Sequence, residues 1–151
     1  MLEIEYKMLG AGWSECIIKP NSESIKISAS DLEDALGNLV YSACALLNGF
    51  NYVSFSFCEE PGEYRWNIKH IGYGKLHLRL IWFGNHYSYI PSDKEGKIIL
   101  DIETDILEYS KAVHTAASQV LKEHGIEGYK KKWRNHPFPS QQLSLLTEKI
   151  R

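Results

Sequence analysis

Between Tyr52 and Phe83 the chain repeats one pattern three times. In YVSFSFC, Val53, Phe55 and Phe57 alternate with Ser54 and Ser56. In EYRWNIKHI, Tyr64, Trp66, Ile68 and His70 alternate with Arg65, Asn67 and Lys69; in KLHLRLIWF, Leu76, Leu78, Leu80 and Trp82 alternate with Lys75, His77 and Arg79. Successive side chains of a strand point to opposite faces, so each segment has one apolar face and one wet face. Three such strands joined by the short turns EEPGE and GYG form an antiparallel sheet whose apolar side other elements must cover.

The remaining elements supply that cover. LEIEYKM alternates Leu2, Ile4 and Tyr6 with Glu3, Glu5 and Lys7, and SECIIKP and ESIKIS continue as a meander turning at Asn21-Ser22. The period then changes: Leu32, Ala35, Leu36, Leu39, Val40, Ala43 and Leu47 share one helical face. Ser30 and Glu33 are spaced as a capping box at the start of that helix, and Gly49 is a stop signal. Gly37, inside it, costs about 1 kcal/mol relative to Ala. KIILDI is a last strand. From Thr104 a second helix carries Ile106, Tyr109, Val113, Ala116, Ala117, Val120 and Leu121 on one face and ends at Gly125. A helical turn, a break at Pro137 and Pro139 and a terminal helix capped by Ser140 follow. The expectation is a single α+β domain over 1–151: an antiparallel β-sheet of about five to six strands with α-helices packed on one face.

Bulk properties narrow the class. A chain of 151 residues buries enough surface for a core without staples. Cys16, Cys44 and Cys58 are odd in number, scattered and without a C-x-x-C pair, which suits reduced thiols and a cytoplasmic protein. MLEIEYKMLG reads as neither a signal nor a transit peptide, and no run approaches a membrane span. The net charge of −2 is uneven: residues 1–60 hold nine acids against three bases, residues 61–151 ten against fourteen. An acidic half suits a basic partner, because complementary potentials speed encounter.

No segment states a reaction. The six histidines lack metal-binding spacing, and His70 falls on an apolar strand face, as a hydrogen-bonded core histidine does. Cys44 lies within a helix and no nucleophile elbow is present. GYGKLH joins two strands, so it offers no helix N-terminus to a phosphate. Lys130, Lys131, Lys132 and Arg134 beside Trp133 are a modest basic patch, read as a solvated helix end rather than a nucleic-acid site. The acids of CEEPGE sit in a turn facing water, where all would ionise, so they suit contact better than acid–base catalysis. No cofactor, metal or enzymatic activity is expected.

DLEDALGNLVYSACALLNG followed by VSFSFCEEPGEYRWNI is similar to a pattern in small bacterial immunity proteins of the contact-dependent growth inhibition and polymorphic toxin type. That pattern combines an acidic-apolar helix, an apolar strand and an E-P-G-E-x-x-W hairpin. It closes on a G-Y-x-x-x-W…F-P…L…L ending, here Gly128, Tyr129, Trp133, Phe138, Pro139, Leu143 and Leu146. The likeness spans roughly residues 30–146 and leaves out the opening meander. It implies a cytoplasmic inhibitor that binds a cognate toxin C-terminal domain, commonly a nuclease, by blocking its active site or substrate surface. Neither nucleic acid nor membrane is an expected partner, and monomer and dimer both stay open. The expected toxin contacts are Asp31, Glu33 and Asp34 at the helix start, Glu59, Glu60 and Glu63 in the turn, and the loop aromatics Tyr87 and Tyr89. The alternative is a non-catalytic adaptor or chaperone-like protein-binding module.

Overall fold

The computed structural model describes residues 1–85 and 89–151. Its elements are β1 (Glu3–Gly10), β2 (Trp13–Lys19), β3 (Ile25–Ser30), α1 (Ala35–Leu47), β4 (Tyr52–Cys58), β5 (Glu63–Gly72), β6 (Lys75–Phe83), β7 (Lys97–Asp105), α2 (Ile106–Trp133) and α3 (Ser140–Lys149). The class is α+β as expected, but among the described residues there are seven strands in two sheets, not five or six in one. Both sheets are antiparallel and sequential, β1-β2-β3 and β4-β5-β6-β7. The two join through side chains rather than a ladder: Ser30 Oγ donates to the Cys58 carbonyl at 3.0 Å, and the Ser28 hydroxyl donates to the Glu59 carboxylate.

Alternation sorts each strand as its pattern demands. Leu2 just before β1, Ile4, Tyr6 and Met8 of β1, Cys16 and Ile18 of β2, and Ile27 and Ala29 of β3 turn inward. In the second sheet Phe57, Trp66, Ile68, Leu76, Leu78 and Leu80 do the same. Trp66 lies at the centre, stacked on Phe55 with centroids 5.3 Å apart and tilted against Phe57 at 5.2 Å. The helices close this layer. Leu36, Leu39, Val40 and Ala43 of α1 and Tyr109, Val113, Ala117 and Val120 of α2 are buried, and the Ser42 and Tyr109 hydroxyls meet at 2.7 Å between the two helices.

Several helix boundaries differ from the sequence reading. Ser30 is paired with Trp13 as the last residue of β3, so it cannot cap a helix. The ladder displaces the capping box; Leu32, expected on the helical face, is exposed, and α1 starts after Asp34. At Gly125, φ 68° and ψ 176° break the helical path, as expected, but the helix resumes to Trp133. Pro139, not Ser140, holds the N-cap position of α3. His70 is half-buried at the core margin, its Nε2 3.3 Å from the Leu46 carbonyl at the end of α1.

Candidate functional site

Three of the expected contact acids converge where β3, β4 and the β4–β5 turn meet. Glu33 and Glu63 both act on the half-buried Cys58 thiol, which burial first and these carboxylates second push up to about 11. Glu59 accepts from Ser28, and Glu63 accepts from Ser56 and lies 3.7 Å from Arg65 Nε. Glu33 and Glu60 are exposed. Gly62, at φ 99°, lets the turn pass close to the end of β6: a Cβ there would sit 2.5 Å from the Phe83 carbonyl oxygen. Aromatic surface flanks the acids, because Tyr64 and Trp82 are cross-strand partners at this end of the sheet. Trp82 is 39% exposed, and Tyr64 has its hydroxyl raised by burial and by Glu59. Alternation sets both rings on the apolar faces of their strands; their positions at the strand ends were the available signal that they stay partly exposed.

The outer face of the β4–β7 sheet adjoins this seam. Its register rows are Ser54–Asn67–Arg79–Asp101 and Ser56–Arg65–Ile81. Arg65 and Asn67 were expected to face water, yet they are 9% and 4% exposed. Pro91 and Asp93, between β6 and β7, lie against them. Arg65 Nη1 donates to the Pro91 carbonyl at 2.7 Å and to Asp93 Oδ1 at 3.0 Å. Its guanidinium carbon lies 4.4 Å from the Phe83 ring centroid, a cation–π contact. Asn67 Nδ2 donates to Asp93 Oδ2 at 2.8 Å, while its Oδ1 accepts from Tyr52 and Ser54 at 3.0 and 2.7 Å. His77 Nε2 meets Asp101 Oδ1 at 2.5 Å on the same face. These groups are engaged with one another, so the face is a fixed polar platform.

The other expected residues have separate places. Asp34 is the N-cap of α1, its Oδ1 accepting the Gly37 N–H at 3.2 Å. Asp31 pairs with Arg134 Nε at 3.4 Å, which ties the end of α2 to the β3–α1 connection. Tyr89 is exposed and donates to Glu95 Oε1 at 2.8 Å; Tyr87 lies outside the described residues. Of the basic patch, Arg134 also donates to the Ala11 carbonyl at 2.5 Å, and Lys130, Lys131 and Lys132 are exposed. Among the described residues no cluster of three His, Cys, Asp or Glu could hold a metal ion, and no helix is long and apolar enough to cross a membrane.

No family model, curated relative or solved structure matches the chain.

Proposed function

We propose that this chain is an immunity-type protein that binds and neutralises a basic toxin domain in the cytoplasm, a nuclease being the class whose substrate surface is itself basic. The observation that carries the reading is that Glu33 and Glu63 act on Cys58 and Glu59 on Tyr64, the cross-strand partner of Trp82, with Glu60 exposed in the same turn. Carboxylates steer a basic partner and set its orientation, while partly exposed aromatic rings supply most of the affinity of an interface. Of the 8230 Å² of surface, about 800 Å² on this side would make a contact of standard size. The sequence resemblance points the same way.

The test is co-expression with the C-terminal domain of the toxin encoded beside this chain, followed by association kinetics of the purified pair. Glu33→Lys with Glu60→Lys should slow association by about tenfold at low salt, with the difference fading as salt rises. Survival only when this chain is present, with a one-to-one complex, supports the reading. Cell death despite its expression, or kinetics indifferent to charge reversal, overturns it.

A further inference from the structure

β1 ends its sheet, so among the described residues its second edge has no strand partner. A groove of about 1020 Å³ runs along that edge, between β1 and the first turns of α2. Side chains of both parities line it: Leu2 and Ile4, which turn into the core, and Glu3 and Glu5, which turn to the outer face. Opposite parities meet a single cavity where it follows the strand's edge rather than either of its faces. Charges along an edge ordinarily keep other strands away. Here they stand in an alternating order. On the outer face Lys26 lies 3.6 Å from Glu15, Glu15 is the cross-strand partner of Lys7, and Lys19 holds Glu5 at 2.7 Å. Lys7 is exposed and forms no ion pair among the described residues.

We propose that β1 pairs antiparallel with β1 of a second copy about a two-fold axis at Tyr6, joining two three-stranded sheets into one. An axis normal to the sheet keeps both apolar faces on one side, so residues of equal parity stand opposite each other. Few registers then remain. Centring on Glu3 sets Glu3 opposite Glu3, on Ile4 sets Glu3 opposite Glu5, on Glu5 sets Glu5 opposite Glu5, and on Lys7 sets Lys7 opposite Lys7. Like charges directly opposite are destabilising. Centring on Met8 runs the ladder into the bulge between Met8 and Gly10. Centring on Tyr6 sets Glu5 opposite Lys7 twice and no like charges opposite each other. The Glu5–Lys19 pair is kept, and the alternation runs unbroken across the joint: Lys26, Glu15 and Lys7 of one copy, then Glu5 and Lys19 of the other. On the inner face Ile4 stands opposite Met8 and Tyr6 opposite Tyr6, all core residues. The ladder over residues 4–8 stops short of the bulge and of the Leu2 N–H, which the Glu108 carboxylate already takes. It also brings Met1 of one copy and Leu9 of the other, 89% and 58% exposed, to the same end of the ladder. The acidic seam lies beyond β3, at the other edge of the sheet, so each copy keeps its own. The inference is therefore independent of the immunity reading.

Sedimentation equilibrium of the full chain, read together with amide exchange, tests this. The wild type should pass from monomer to dimer with a Kd below about 1 mM, and edge-facing amides of residues 4–8 should exchange more slowly in the dimer. The Lys7→Glu and Glu5→Lys variants each put like charges opposite at both pairs. Each should dimerise at least about tenfold more weakly while keeping the circular dichroism of a folded chain. Mixed one to one, the two variants regain opposite charges at both pairs, and their heterodimer should be at least about tenfold tighter than either variant alone. That recovery separates a register effect from damage to either fold. A wild-type chain still monomeric at about 1 mM, a dimer indifferent to both charge changes, or mixed variants that stay apart would overturn the proposal. A dimer whose residues 4–8 exchange as in the monomer would place the contact elsewhere and overturn it too.

Discussion

The carboxylate of Asp93 meets the guanidinium of Arg65 at 3.0 Å, on a sheet face whose sequence pattern marks it as wet. Asp93 reaches that face from the β6–β7 segment and also takes the Asn67 amide, so one carboxylate fastens a long connection to two residues of β5.

Asp93→Ala should therefore destabilise the protein by about 1–3 kcal/mol, since it leaves a largely buried guanidinium with one strong partner fewer. The upper part of that range is held down because Asp93 itself is 40% exposed. Asp93→Asn, which keeps an acceptor oxygen, should lose less. Urea denaturation measures both, and a cycle with Asn67→Ala should show coupling of at least about 0.5 kcal/mol. Additive effects would mean that the shared carboxylate is not what holds the segment.

Asp34 and Gly37 form a second coupled pair. A Cβ on Gly37 would lie 2.1 Å from Asp34 Oδ2, so the glycine inside α1 leaves room for the capping carboxylate. Ordinarily Gly→Ala in a helix gains about 1 kcal/mol. Here Gly37→Ala should gain little in the wild-type chain and the full amount in an Asp34→Ala background, itself about 1 kcal/mol less stable. Burial raises the Asp34 carboxyl above its usual 3.8, opposed by His136 and the Gly37 N–H. An acid held more tightly protonated in the fold than in the unfolded chain contributes stability that is complete below 3.8 and lost as pH rises through the folded value. Asp34→Asn keeps the cap oxygen without that loss. It should match or exceed the wild type at pH 7, with the advantage shrinking as the pH falls toward 3.8; thermal melts across pH decide this.

How far these arrangements could be read beforehand depends on what sets them. Period-two and helical spacing located β4, β5, β6 and the apolar face of α1, because inward and outward alternation is written locally. They did not place Ser30, where pairing with Trp13 extends β3 and outweighs a local capping pattern. Alternation also assigned Arg65 and Asn67 to the outer face correctly. It could not say that Pro91 and Asp93, some 25 residues later, would return to cover them. The acids show the same division: each was visible singly, but Glu33 and Glu63 meet around Cys58 only because two sheets abut, while Asp31 and Asp34 are drawn away by Arg134 and the helix start.

That meeting can be read chemically through the thiol. With Cys58 pushed up to about 11 from the ordinary 9.0, its thiolate fraction near pH 8 is about 100-fold below that of a free cysteine, and iodoacetamide should label it correspondingly slowly. Glu33→Gln should speed labelling severalfold, since one of the two repelling charges is gone while the burial stays. Glu63→Gln should act in the same direction. Rates identical to wild type in both variants would place the carboxylates away from the thiol and dissolve the seam.

The central ring offers the sharpest test of the core. Trp66 is fully buried, stacked on Phe55 and tilted against Phe57, and its Nε1 has no hydrogen-bond partner among the described residues. Its contribution is therefore packing and aromatic contact rather than polarity. Trp66→Ala should cost about 3–5 kcal/mol, through lost apolar burial and the cavity left behind. Trp66→Phe keeps a ring against Phe55 and removes an unpaired donor, so the two changes partly offset and the loss should stay below about 1.5 kcal/mol. Chemical denaturation of the two variants measures the difference directly. If Phe proved as damaging as Ala, the indole N–H would have to be making a bond that holds the sheet, and the packing account of this residue would fail.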